Sequence, residues 1–184
     1  MIAGNSRSIV VLDTCVLAPM PLCDTLLRLA EDPAFYIPRW SGDILRELRS
    51  TLLRMGYTET QATRRTTAMD TAFEDAKVTG YERLVASMTN DPKDRHVLAA
   101  AVRCAAHAIV TDNVRHFPPH SLKPYHLDVL TPDDFLVRQF HLNEELMRER
   151  LAAQSAARGV AIEQLLVRLA KWAPVTVRLL TASR

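Results

Sequence analysis

The 184-residue chain is poor in cysteine, poor in aromatic residues and without any long apolar run. Its three cysteines, Cys15, Cys23 and Cys104, form no close Cys-x-x-Cys pair. An odd count at such spacing argues against a disulfide framework or a zinc knuckle and points to a reducing compartment. Aromatics amount to 6%, too few to advertise a base-stacking platform for single strands. No apolar stretch approaches the roughly twenty residues of a membrane span. Met1 to Ser8 lack the apolar core and cleavage site of a signal peptide. A cytoplasmic protein without membrane contact is the expectation.

What is present suits one ordinary globular core with a small appendage: 48% hydrophobic and 24% charged residues. The net charge of +2 hides a division. Residues 1–134 carry 15 basic and 17 acidic side chains, whereas residues 135–184 carry 8 and 4. That asymmetry permits contact with a polyanion without demanding it.

Ile9-Val10-Val11-Leu12 is an unbroken apolar run that ends abruptly in Asp13-Thr14. Such a run suits a central parallel strand buried on both faces. Chemistry in open α/β sheets gathers beyond the carboxyl ends of the strands, where Asp13 would lie. Leu22 to Leu29 give a short amphipathic helix, and Phe35-Tyr36-Ile37 a second strand closed by Pro38. Ser41 or Asp43 caps the next helix, whose apolar face is Ile44, Leu45, Leu48, Leu52 and Met55. Glu47 stands about 60° from Ile44 on that wheel, able to reach inward or to remain an ordinary flank residue. After Gly56, Thr58 to Gln61 resemble a capping box opening a polar helix.

The most informative stretch runs from Asp91-Pro92-Lys93-Asp94 through an alanine-rich segment to Ala108-Ile109-Val110-Thr111-Asp112-Asn113. Asp91 suits an N-cap, Pro92 the first helical position, and Asp94 the first turn. A helix of about twelve to fourteen residues runs ~20 Å away, and the following strand returns, so that Asp112 comes back near Asp94. The two acids at the helix start have a second reading as capping charges favoured by the helix dipole. Leu127-Asp128-Val129-Leu130 suits a last strand, and Thr131-Pro132-Asp133-Asp134 opens a helix, with both acids read as capping charges.

Asp13, Glu47, Asp94 and Asp112 thus come from four elements toward one end of a parallel sheet. Carboxylates without histidine or cysteine companions make a hard-oxygen site for magnesium or manganese. Such an ion activates water and stabilises charge on a phosphate, so phosphodiester hydrolysis is the natural chemistry.

The same residues carry a resemblance. Val11 to Leu17, Asp91 to Ala101 and Ile109 to Pro118, in that order, resemble a PIN-domain ribonuclease, most of all the VapC-type toxins of bacterial toxin–antitoxin pairs. The resemblance covers roughly residues 8–135. It implies a PIN-like (Rossmann-like) α/β parallel sheet flanked by helices and a Mg2+- or Mn2+-dependent endoribonuclease. Asp13, Glu47 and Asp94 match the family's acidic positions. Its fourth acid falls where this chain has Asn113, so either Asp112 supplies that charge or three acids and an amide suffice. Asp91, Thr111 and Asn113 would support the site, and Arg95 and Arg115 are candidates for RNA contact. An RNA substrate and a cognate antitoxin are the implied partners. Cys15 stands where an aspartyl phosphatase of the haloacid dehalogenase type needs its second acid, which counts against that alternative; a catalytically silent module keeping the fold remains another.

Residues 136–184 form a helical C-terminal extension beyond the minimal family domain. Ile162, Leu165, Leu166 and Leu169 give it a clean apolar face. A helix pair of this size needs tertiary cover. Two readings stand: the face joins a homodimer or antitoxin interface, or it folds back on the main domain.

Overall fold

In a computed structural model, which describes residues 7–182, five parallel strands lie in the order β3-β2-β1-β4-β5. β1 (Ser8–Leu12) is central, β2 (Tyr36–Ser41) and β3 (Lys77–Val78) lie to one side, and β4 (Ala108–Val110) and β5 (Asp128–Leu130) to the other. Val10, Val11 and Leu12 are buried, as the uninterrupted apolar run requires. The strand order reverses at β1, which places its carboxyl end and that of β4 at the topological switch point. Leu12 pairs with Val110, so Asp13 and Thr111 leave the sheet side by side.

β2 runs through Pro38 to Ser41 rather than stopping at the proline. β3 pairs only with Trp40 and Ser41, so β2 is still an edge at Pro38, where a missing N–H is tolerated. Ser41 is the cap of the following helix: its hydroxyl accepts from Ile44 N at 3.2 Å.

Short α1 (Thr14–Leu17) and α2 (Met20–Leu29) follow β1. α3 (Gly42–Arg54) buries Ile44, Leu45, Leu48 and Leu52 and ends before Gly56, whose φ of +91° suits glycine. α4 (Glu59–Ala72) opens with the capping box of Thr58 and Gln61. A 3-10 turn at Pro92–Asp94 leads into α5 (Arg95–Arg103), whose Val97, Leu98, Ala99, Ala100 and Ala101 are buried. Short α6 (Pro119–Leu122) precedes β5.

The extension begins inside α7 (Pro132–Leu142), which straddles the expected boundary at 135/136, and continues through α8 (Glu144–Ala157), α9 (Ile162–Leu169) and α10 (Pro174–Ala182). It folds back: α8 packs on α2 and α7, and α9 on α2 and α8. Leu165, Leu166 and Leu169 are buried and Ile162 is half-buried, so the chain covers this face itself. Gln154, fully buried, donates to Pro21 O at 3.0 Å and accepts from Thr25 Oγ1 at 2.8 Å. Asp133 does not merely favour its own helix dipole. Its carboxylate accepts from Val175 N and Thr176 N, both at 2.9 Å, and so caps α10.

Candidate active site

Asp13 follows directly on three buried strand residues and is itself 3% exposed. One carboxylate oxygen caps α1, accepting from Thr14 N at 2.6 Å. The other accepts from Thr111 Oγ1 at 2.7 Å and from the Cys15 thiol at 3.3 Å. These contacts are all neutral. Burial therefore raises the Asp13 pKa above its ordinary value despite the hydrogen bonds, with a further push from the charge of Asp94. Cys15 is pushed up to about 12, first by burial and then by Asp13, so it remains a thiol. Its sulfur also accepts from Asp112 N at 3.3 Å, while Asn113 N donates to Thr111 Oγ1 at 3.0 Å. Thr111 and Cys15 thus tie the end of β4 to the end of β1.

Glu47 lies on the second turn of α3, and Thr14 Oγ1 donates to its Oε2 at 3.2 Å. His96 Nε2 lies 3.4 Å from the same oxygen. Burial works against ionisation of Glu47, but His96 and the Thr14 hydroxyl together outweigh it and lower the carboxyl pKa. Reciprocally, burial would lower the His96 pKa, and Glu47 raises it overall. The spacing from Asp94 to His96 carries the imidazole from the start of α5 toward α3.

The two acids at the start of α5 part company. Asp91 caps the turn, accepting from Lys93 N at 3.0 Å, and its own N–H donates to His116 O at 3.0 Å. Asp94 caps nothing; its Oδ2 is 2.7 Å from His116 Nδ1. The loop after β4 therefore does return to Asp94, but through His116 rather than through Asp112.

A cleft of about 730 Å³ is lined by Thr14, Glu47, Asp94, His96, Asn113 and His116, among others. Asp13 lies behind this lining, next to Thr14. Asp112 is exposed and outside it, its pKa raised by partial burial alone. Asn113, where the family's fourth acid is expected, lines the cleft. Arg95 and Arg115 do not. Arg95 Nε instead points to Asn90 O at 3.4 Å, and Arg115 is exposed. The cations that do line the cleft are Arg46, Arg54 and Lys93. The sequence assigns no site role to Arg46, Arg54, Lys93, His96 or His116, and its expectation of carboxylates without histidine or cysteine companions is overturned: Cys15 meets Asp13, His96 meets Glu47 and His116 meets Asp94.

Among the described residues, no three His, Cys, Asp or Glu side chains stand close enough to hold an ion by themselves. The donor chemistry nonetheless fits a hard cation. Asp13 is a buried carboxylate answered only by neutral donors, with Asp94 as its charged neighbour, an arrangement that a divalent ion would complete. Magnesium suits such a place because it keeps several waters and takes one or two carboxylates. Asp13, Glu47 and Asp94 are the residues that could hold it.

Comparison with known proteins agrees with this geometry. The sequence profile of the PIN domain matches residues 9–115, from the start of β1 into the His116 turn. A protein of Mycobacterium tuberculosis named "Putative ribonuclease VapC50" is 59% identical over 66 residues, a stretch that makes up 36% of this chain and 39% of that relative. No solved structure gives a significant match. With a parallel sheet whose first and fourth strands deliver Asp13 and Thr111 to one edge, and a profile match across more than half its length, the chain belongs to the PIN-domain family.

Proposed function

We propose that this protein is a metal-dependent endoribonuclease acting as the toxin of a toxin–antitoxin pair. The observation that carries the reading is the buried Asp13 carboxylate, fixed by Thr111, Cys15 and Thr14, beside Asp94 and behind a cleft that Glu47 also lines. The name of the VapC50 relative supports RNA as the substrate.

Asp13, Glu47 and Asp94 would hold Mg2+ or Mn2+, with the Asn113 amide beside them and Asp112 adding charge from outside the lining. When bound, the ion lowers the pKa of water and stabilises charge on the phosphate. The chain's own residues do the positioning. Thr111, Cys15 and the Thr14 amide fix both oxygens of Asp13, so the carboxylate does not rotate. His116 holds Asp94 Oδ2 and leaves Oδ1 to the site. Thr14 and His96 engage Glu47 Oε2 and leave Oε1 to the site.

A cell that makes such an enzyme needs it restrained. The carboxylates that would hold the metal, Asp13, Glu47 and Asp94, could take an inserted arginine or lysine instead, which would pair with them and displace metal; we therefore assign an antitoxin that blocks this cleft, in the cytoplasm. The competing reading is a catalytically silent PIN-fold binding module, favoured by the histidines on Glu47 and Asp94 and by the lack of a closed ligand cluster.

The deciding experiment is cleavage of labelled RNA with magnesium, with manganese and with excess chelator. The proposal expects metal-dependent cutting that Asp13→Asn and Asp94→Asn each remove almost entirely, because a shared site fails as a unit. Equal cleavage in chelator would refute the mechanism, and binding without cleavage under every condition would favour the silent module.

A further inference from the structure

The carboxylates that suit a metal also repel the substrate, since an RNA backbone is a polyanion. The cleft answers this with cations in its own lining. Arg46 and Arg54 line it from α3, and Lys93 lines it from the turn before α5. They match the three carboxylates in the lining, Asp43, Glu47 and Asp94, one for one. Eight residues separate Arg46 from Arg54, a rise of about 12 Å along the helix. Between them Ser50 and Thr51 line the same wall, and hydroxyls of this kind are common phosphate donors.

Their present contacts are exchangeable. Arg46 pairs with Asp43 while its side chain stays 77% exposed. Asp43 also accepts from Tyr81 OH at 2.7 Å, so it keeps a partner if the arginine swings away. Arg54 donates to the Thr51 hydroxyl at 2.9 Å, a neutral acceptor that a phosphate would outcompete. Lys93 is exposed, and the bond to Asp91 uses its backbone N–H rather than its ammonium. Away from the cleft, by contrast, Arg28 and Arg158 share Asp24, and Arg148 is tied to Glu144.

Among the described residues no Phe, Tyr or Trp lines the cleft. What Arg46, Arg54 and Lys93 offer is positive charge, which meets phosphate, and phosphate contacts carry no sequence information. Resting on the ribonuclease reading above, we propose that Arg46, Arg54 and Lys93 form a phosphate track that holds a single-stranded RNA backbone across the cleft without regard to base identity. Arg95 and Arg115 take no part in it.

The test separates binding from chemistry. Fluorescence anisotropy with labelled oligouridylate and oligoadenylate, in chelator so that nothing is cut, gives affinity over a series of salt concentrations. Each phosphate neutralised on a single strand contributes about −0.7 to the slope of log affinity against log salt. Arg46→Ala, Arg54→Ala and Lys93→Ala should each flatten the slope by about 0.7 and the triple variant by about 2, equally for both oligonucleotides. Arg168→Ala on α9, and Arg95→Ala and Arg115→Ala, should leave the slope unchanged. All three track residues are exposed, so folding is checked simply by their melting curves; Arg54→Glu and Lys93→Glu should weaken binding further than the alanines.

Unchanged slopes in the three cleft variants would overturn the track, as would slopes lost through Arg95 or Arg115, or a parent protein that does not bind RNA at low salt. A large difference between the two oligonucleotides would overturn the claim of base-independent reading. A parent protein that binds with these slopes but cuts nothing when magnesium is added would refute the ribonuclease reading and leave the track standing.

Discussion

On the proposed metal-dependent reading, Asp13 lowers the stability of the metal-free fold in exchange for its place in the site. In the unfolded chain its carboxyl titrates near the ordinary 3.8, whereas burial raises it in the fold. Below 3.8 both states are protonated and the group contributes nothing. As pH rises, the unfolded chain ionises first and is favoured, so stability falls until the raised folded-state pKa is passed and then stays lower. Asp13→Asn keeps an Oδ1 for Thr14 N and offers an amide to Thr111. It should therefore raise the melting temperature of the metal-free protein at neutral pH, at roughly 2–4 °C per kcal/mol. It should also flatten the stability profile above pH 3.8 while abolishing cleavage. A variant less stable than its parent in chelator would contradict this account.

At the same scale, His116 acts through Asp94 by holding one of its oxygens at 2.7 Å. Partners of this kind typically change metal affinity 10- to 100-fold when removed. Calorimetric titration with manganese should show His116→Ala about tenfold weaker, with His116→Asn restoring part of the loss through its side-chain amide. Equal affinities in all three proteins would assign His116 a structural part only. The same titration addresses the end of β4. Asn113 lines the cleft and Asp112 does not, so Asn113→Ala should weaken manganese binding more than Asp112→Asn.

At the scale of elements, the site depends on where α3 begins. Ser41 ends β2, is fully buried, and caps α3 through Ile44 N, one helical turn before Glu47. Ser41→Ala should cost about 0.5–2 kcal/mol in urea unfolding. Because a frayed first turn displaces Glu47 from Thr14 and His96, cleavage should fall by more than the folded fraction does. Activity that follows the folded fraction alone would show that the cap serves stability only. The turn before α5 shows how one short motif serves two ends. Asp91 is spent on the cap, and that leaves Asp94 free to face the cleft.

On the scale of the whole molecule, the extension is part of the core. Met147, Leu151, Leu165 and Leu169 are buried against the rest of the chain, Gln154 bridges to α2, and Arg158 reaches Asp24 at 2.7 Å. Deleting residues 143–184 exposes the covered face of α2. The loss should exceed the ~2–5 kcal/mol of one large buried side chain. Urea unfolding and light scattering should show a destabilised or associating fragment. A fragment that keeps its mass and its midpoint would return the extension to the role of an appendage. Val167 alone among the large apolar residues of α9 stays widely exposed, at 76%, so the helix presents little to any partner.

Much of this was legible in the chain as written. Periodicity and caps locate β1, α3, α4 and the turn before α5, because an apolar run, a capping box and an Asp-Pro pair act over a few neighbouring residues. The same local logic placed Asp13 at a strand end and Asp94 at a helix start, and the motif order identified the family. Tertiary structure decided the rest, because those choices depend on partners distant in sequence. Pro38 lies within a strand because β3 is too short to reach it. Asp133 caps a helix some forty residues away rather than its own. Which of Asp112 and Asn113 meets the cleft follows from Cys15 and Thr111, which hold the chain after β4 by the two successive backbone amides. The histidines on Asp94 and Glu47, and the cations along the walls, belong to the cleft only because α3, α5 and the loop after β4 converge there, and no periodicity within any one of them records that meeting.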